Sequence, residues 1–167
     1  MTKAKPIDEA TAQSLRENLR YEPYTGLFWW AVEGKNRDLS KPAGTLNCQD
    51  YLTISFKNRT YRLHRLAYLL MGLPIPECVD HRNGVKTDNR WENLRPATDS
   101  QNKFNTGVSS NNTSGFKGVH KKSGKWGAQI KFSGQRDYLG TFDCPEEAYE
   151  AYKKAADKYH GEFKNYG

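Results

Sequence analysis

The segment V79-DHRNGVKTDNRWENLRPATDSQNKF-N105 carries the densest chemistry in the chain. Pro74 and Pro76 ahead of it force an extended approach, so Val79-Asp80-His81 reads as a strand. Residues 82–96 are rich in Asn, Asp and Gly and read as turns. Thr98-Asp99-Ser100-Gln101 is a capping box: the Thr98 hydroxyl can cap a helix while Gln101 reaches back. A helix is expected from there, carrying Asn102. Adjacent side chains of a strand point to opposite faces. Asp80 and His81 therefore offer a carboxylate and an imidazole side by side but aimed differently.

That set suits hydrolysis of a phosphodiester. The reaction needs a base for water, neutralisation of charge on phosphate and stabilisation of the leaving oxygen. A His has the right pKa for the base. A carboxylate and an amide oxygen suit Mg²⁺, which prefers oxygen and keeps several waters. Asn102 can supply the amide oxygen. Asn105, further along the same helix, is a rival for that place. Asn93 can brace the loop by bonding backbone amides.

Outward from this segment, residues 7–20 read as a weakly amphipathic helix, with Ile7, Ala12, Leu15 and Leu19 loosely on one side. YEPYTG (21–26) is turn chemistry, Leu27–Trp30 a strand and 33–50 a loop. Tyr51–Phe56 alternates, Lys57-Asn58-Arg59 turns and Thr60–Leu63 returns, giving a hairpin. HRLAYLLM (64–71) is a short helix ended by Gly72. TGVSSNNTS (106–114) has no apolar period and reads as a linker. Beyond it lie three strand candidates at 115–121, 125–133 and 136–142, with turns at Ser123-Gly124 and Ser133-Gly134. A helix follows from Pro145, its face formed by Ala148, Ala151, Tyr152, Ala155, Ala156 and Tyr159. The expected class is α+β, with a unit at 1–105, a linker at 106–114 and a small three-strand, one-helix domain at 115–167.

Net charge is +7 over 167 residues, which favours a polyanionic partner. Residues 1–50 hold 7 basic and 7 acidic side chains, residues 51–110 hold 9 and 5, and residues 111–167 hold 10 and 7, so the excess lies in the last two thirds. No apolar run suffices to span a membrane, and MTKAKPIDEA lacks the apolar core of a secretion signal. Cys48, Cys78 and Cys144 are scattered without a CxxC pair, which points to reduced thiols and an intracellular, cytoplasmic protein.

The quoted segment resembles the HNH (ββα-metal) nucleases of phage and intron-encoded homing endonucleases. The signature positions fall on His81, Asn93 and Asn102, the third letter being Asn instead of His. The resemblance implies His81 as general base, Asp80 and Asn102 as ligands of Mg²⁺ or Mn²⁺, and Asn93 as the loop brace. His64-Arg65 is similar to the segment that often precedes the motif, where His64 packs, contacts DNA or does neither. The zinc-binding cysteines of some relatives are absent.

Residues 114–166 resemble the apetala/ethylene-response-factor DNA-binding domain, known from plant regulators and phage endonucleases. The resemblance rests on Ser114-Gly115-Phe116-Lys117-Gly118-Val119, Lys125-Trp126, Ala128, Ile130, Tyr138-Leu139-Gly140-Thr141-Phe142, Glu146-Glu147-Ala148, Ala151-Tyr152 and His160-Gly161-Glu162. It implies a three-stranded antiparallel sheet on one helix, with the sheet in the major groove of double-stranded DNA. Residues 115–142 carry six cations against the single anion Asp137, so the charge is on the sheet. Lys117, Lys121, Lys125, Lys131 and Arg136 are candidate DNA contacts, as are Trp126 and Tyr138; Trp126 is equally suited to a core place under the helix. Lys117 stands where the plant domains commonly have Arg, and Cys144 is a weak helix cap.

The resulting expectation is a metal-dependent DNA endonuclease targeted by its C-terminal module, a monomer or weak dimer, acting in a bacterial host cell if phage-encoded. The alternatives are a DNA-binding regulator with an inactive HNH segment and, third, a nuclease toxin acting on structured RNA.

Overall fold

The computed structural model describes residues 6–167; the first five residues of the N-terminal stretch lie outside it. The class is α+β, built from small antiparallel sheets and helices. The chain divides into two compact units, Met1–Ala97 and Thr98–Gly167. The break falls ahead of the 106–114 stretch, so the helix that begins at Thr98 is counted with the second unit.

In the first unit, α1 (Glu9–Asn18) starts where the Asp8 carboxylate accepts the Thr11 amide at 2.8 Å. The helix ends earlier than the expected residue 20. Leu19 instead opens β1 (Leu19–Glu22), which pairs antiparallel with β2 (Leu27–Trp30). The apolar β2 run Leu27-Phe28-Trp29-Trp30 offers a better partner than another helical turn. A second sheet has the order β3 (Thr45–Leu46), β4 (Leu52–Phe56), β5 (Arg59–Arg62). The β4–β5 turn places Lys57 and Asn58 at φ of +47° and +57°, the left-handed pair a tight hairpin requires. The short β3 interrupts the expected 33–50 loop.

Helix α2 (Leu63–Leu70) buries Leu63, His64, Leu66, Ala67, Tyr68 and Leu69. Burial on nearly every side makes it the central post of a core that includes Leu15, Leu19, Phe28, Ile54 and Phe56. Gly72, at φ +73°, stops it. The chain then enters β6 (Cys78–His81), which pairs with β7 (Leu94–Ala97). The turn-rich reading of 82–96 misses β7 because its Leu-Arg-Pro-Ala has no alternating pattern of its own; pairing with β6 makes it a strand.

In the second unit, α3 (Asp99–Phe104) begins with the complete capping box of Thr98 and Gln101. Beyond it, β8 (Val119–Lys122), β9 (Lys125–Phe132) and β10 (Gln135–Phe142) form a sheet of order β10-β9-β8. Strand β8 starts later than residue 115. Asn112 and Ser114 accept or donate seven hydrogen bonds among the turns of 112–119, which bend the backbone before it can extend. Helix α4 (Pro145–His160) covers one sheet face through Ala148, Tyr152, Ala155 and Ala156, and its Cys144 cap makes no side-chain bond. All three cysteines are free thiols. No helix among the described residues is long and apolar enough to cross a membrane.

Candidate active site

The β6–β7 ribbon sets Asp80 directly across from Arg95. The Arg95 guanidinium donates from Nε and Nη2 to Asp80 Oδ2, at 2.8 and 2.7 Å. Both side chains are buried, with 5% and 4% of their surface exposed. Such a charge-assisted pair fixes the carboxylate's direction as well as its place. Arg95 stands in the Asn-Leu-Arg run of the sequence, where nothing marks it as this partner; the cross-strand register does.

His81 ends β6 and is buried. Its Nε2 meets Asn89 Oδ1 at 3.2 Å. Burial pushes the imidazole below the ordinary His value, partly offset by the Asn89 bond and the charge of Asp80. The ring is therefore neutral near pH 7 and carries a lone pair. Asn89 is 1% exposed. In the sequence it is one of several Asn residues in a turn-rich stretch, with nothing to separate it from Asn83.

The loop that carries Asn89 is held from two sides. Asn93, on a 3₁₀ turn at Trp91–Asn93, accepts the Asn83 amide through Oδ1 at 3.0 Å and donates through Nδ2 to Asp88 O at 2.7 Å. Arg90 grips Asp88 with two charge-assisted bonds of 2.9 and 2.7 Å, which brings the carboxyl down to about 2. From behind, the Tyr21 hydroxyl donates to Asn89 O at 2.7 Å, and the Trp91 amide donates to Pro23 O at 2.8 Å. Gly26 fits there because a Cβ would lie 2.4 Å from Arg90 N.

A second imidazole stands against the first. The His64 ring centre is 5.1 Å from that of His81, nearly perpendicular at 86°. Burial holds His64 well below the ordinary value, with His81, Arg62 and Arg65 adding to the effect. Its Nδ1 is buried without a hydrogen-bond partner among the described residues. Tyr51 packs beside both rings, at 5.0 Å from His64 and 6.0 Å from His81.

Asp80, His81 and Asn93 thus share one ribbon and loop of the first unit, while Asn102 lies half-buried on α3 of the second. Its rival Asn105 is buried and accepts from Asn165 Nδ2 through its backbone oxygen, at 2.8 Å, and through Oδ1, at 3.3 Å. Asn105 has a structural task at the helix end, and Asn102 is the more exposed member of the two.

On the second unit's sheet, the apolar residues Ala128 and Ile130 pack toward α4. Alternation along the strands then puts Lys125 and Lys131 on the open face, with Arg136 across from Lys131 and Tyr138 across from Gln129. Lys122 joins them, with its Nζ 3.0 Å from the Tyr138 hydroxyl; in the sequence nothing separates it from the other sheet lysines. Trp126 packs in the helix-side cluster and Lys121 lies over its ring at 5.6 Å, so both sit on the covered face. Lys117 donates to the carbonyls of Phe104, Thr106 and Asn165, and burial lowers its pKa to about 8. Its ammonium ties together 104–106 and the C-terminal stretch of chain.

Residues 61–104 match the family model described as HNH endonuclease. An uncharacterized HNH endonuclease, L560, of Acanthamoeba polyphaga mimivirus is 33% identical over 114 residues, covering 66% of this chain and 59% of that protein. The AP2-like ethylene-responsive transcription factor CRL5 of Oryza sativa is 33% identical over 111 residues, 62% of this chain and 17% of that protein. The ethylene-responsive transcription factor ERN1 of Medicago truncatula is 52% identical over 50 residues, 28% of this chain and 19% of that protein. The chain therefore spans under two thirds of the length of each. No solved structure gives a significant match. The matched family segment contains His64, Asp80, His81, Asn93 and Asn102, and together with the viral relative it supports a nuclease.

Proposed function

We propose that this chain hydrolyses phosphodiester bonds of double-stranded DNA with a divalent metal ion, using His81 as general base, and that its C-terminal sheet holds the DNA. The observation that carries this reading is His81 itself: a buried imidazole oriented by Asn89, next in sequence to a carboxylate. A neutral ring can take a proton from water, and its orientation is set before substrate arrives.

The donor chemistry fits magnesium or manganese. Asp80 provides a carboxylate and Asn102 an amide oxygen, both hard donors, and such ions are commonly held by one or two protein oxygens with waters completing the shell. Asp80 would hold the ion; Asn102 is the further donor that the HNH resemblance implies. When bound, the cation neutralises charge building on the phosphate and stabilises the leaving oxygen. The chain's own groups do the rest: Arg95 keeps the Asp80 carboxylate aimed, Asn93 keeps the loop closed, and Asn89 keeps the base in place. On the sheet, Lys122, Lys125, Lys131 and Arg136 supply cations suited to phosphates, and Tyr138 a ring suited to sugar or base.

A supercoiled-plasmid digest with Mg²⁺, Mn²⁺ and EDTA tests the reading. Cleavage is expected with metal, lost in EDTA, and reduced at least about 100-fold in His81→Ala, with DNA binding kept, as the loss of a general base implies. A His81→Ala protein that cuts as fast as the parent removes the assignment. A parent that binds DNA and never cuts it favours the regulator reading.

A further inference from the structure

The geometry points to a phosphate seat formed by Arg62, Lys86 and the ring of Tyr51, which grips a backbone phosphate of the DNA strand beside the one His81 acts on. This rests on the nuclease reading and adds a substrate contact to it.

The seat is built by one tight turn. Asn47 Oδ1 accepts the amides of Gln49 and Tyr51, at 2.9 and 3.0 Å, and the Asn47 amide donates to Tyr51 O at 3.0 Å. Asp50 takes a left-handed φ of +64° to close it. The closed turn presents Gln49 to two cations that are 24 residues apart in sequence. Lys86 donates to the Gln49 backbone oxygen at 2.9 Å, and Arg62 Nη2 donates to the Gln49 side-chain oxygen at 2.5 Å. Both charges then lie against the same ring: the Arg62 guanidinium carbon is 4.6 Å and the Lys86 ammonium 5.3 Å from the Tyr51 centroid.

Arg62 and Lys86 bring two like charges to one aromatic ring, and an anion placed there is attracted by both. The acid near them is Asp50, 3.6 Å from Lys86 and 81% exposed. A surface pair of that kind contributes little and yields readily to a phosphate. Arg62 meets no carboxylate among the described residues, and its planar fork keeps donors beyond the one given to Gln49. Tyr51 is one ring away from His81 and from the buried, unpartnered Nδ1 of His64. A strand whose phosphate sits between Arg62 and Lys86 therefore runs past the imidazole. A phosphodiester is the ligand that matches: an anion with several acceptor oxygens, repeated along a chain.

The test uses the full chain and a fluorescent DNA duplex of arbitrary sequence, titrated over a range of NaCl concentrations. Removing one cation that neutralises a phosphate flattens the slope of log K against log salt by about 0.9. Arg62→Gln and Lys86→Gln are each expected to flatten it by about that amount, and the pair by about twice as much. Arg62→Lys, which keeps the charge, should retain the slope and so separates charge from folding. Lys57→Gln is the control, since Lys57 sits at the far turn of the β4–β5 hairpin and bonds Ser14. In plasmid cleavage, the two Gln variants should raise the DNA concentration for half-maximal rate more than they lower the limiting rate. An unchanged slope in the double variant, or an equal flattening in Lys57→Gln, overturns the seat. If the parent binds DNA but does not cleave, the nuclease reading fails while the slopes still decide whether Arg62 and Lys86 touch phosphate.

Discussion

Replacing Arg95 by Met strips the guanidinium from Asp80 and leaves a buried carboxylate without that cation. The two bonds at 2.8 and 2.7 Å come from a side chain that is 5% exposed, so water cannot substitute without opening the ribbon. Removing one partner of a buried ion pair costs about 3–5 kcal/mol, because the other charge stays behind. In a unit of this size each kcal/mol moves the melting temperature by roughly 4–8 °C. A loss of roughly 12–40 °C is expected for the first unit, enough to leave it marginal. The companion variant Arg95→Met with Asp80→Leu removes both charges and should recover most of the loss, since a hydrophobic pair of similar volume is often as stable as the ion pair. Differential scanning calorimetry, with Trp fluorescence reporting the region of Trp29, Trp30 and Trp91, gives both numbers. The reasoning fails if Arg95→Met loses less than about 1 kcal/mol, or if the double variant is no more stable than the single one.

Stability should also fall on mild acidification. His64 and His81 are held below the ordinary value by burial, so the unfolded chain takes up protons that the folded chain refuses; the contribution is complete above about pH 6.5 and is lost as pH drops below it, at up to about 1.4 kcal/mol per pH unit for each ring. His64→Phe should remove one ring's share of that slope, and an unchanged slope would count against it. Gly118→Ala should destabilise the second unit by about 2–5 kcal/mol, since its Cβ would meet the Tyr152 ring at 2.2 Å and Gln129 O at 2.7 Å at φ +76°; a melt within one degree of the parent's refutes the close approach. Lys117→Met should cost about 1–3 kcal/mol by leaving the carbonyls of Phe104, Thr106 and Asn165 without their shared donor, and hydrogen exchange should quicken first at 104–106.

Much of the local structure was legible because its determinants lie within a few residues of one another. The capping box at Thr98 and Gln101, the Gly-containing turns at 124 and 134, the stop at Gly72 and the alanine face of α4 all follow from bonds or periodicities spanning one turn or one pleat. The candidacy of Asp80 and His81 was readable as residue chemistry. Their surroundings were not.

What the tertiary structure alone decided is which distant groups meet. Asp80 faces Arg95 through strand register, His81 faces Asn89 through loop closure, and Tyr51 reaches His81 from thirty residues away. A lysine in the sheet segment proved to be a clasp for three carbonyls. The physical reason is that local preferences act between neighbours, whereas partner choice at a site is settled by how separate elements pack to bury their apolar faces. Sequence named the candidate groups; packing chose what holds them.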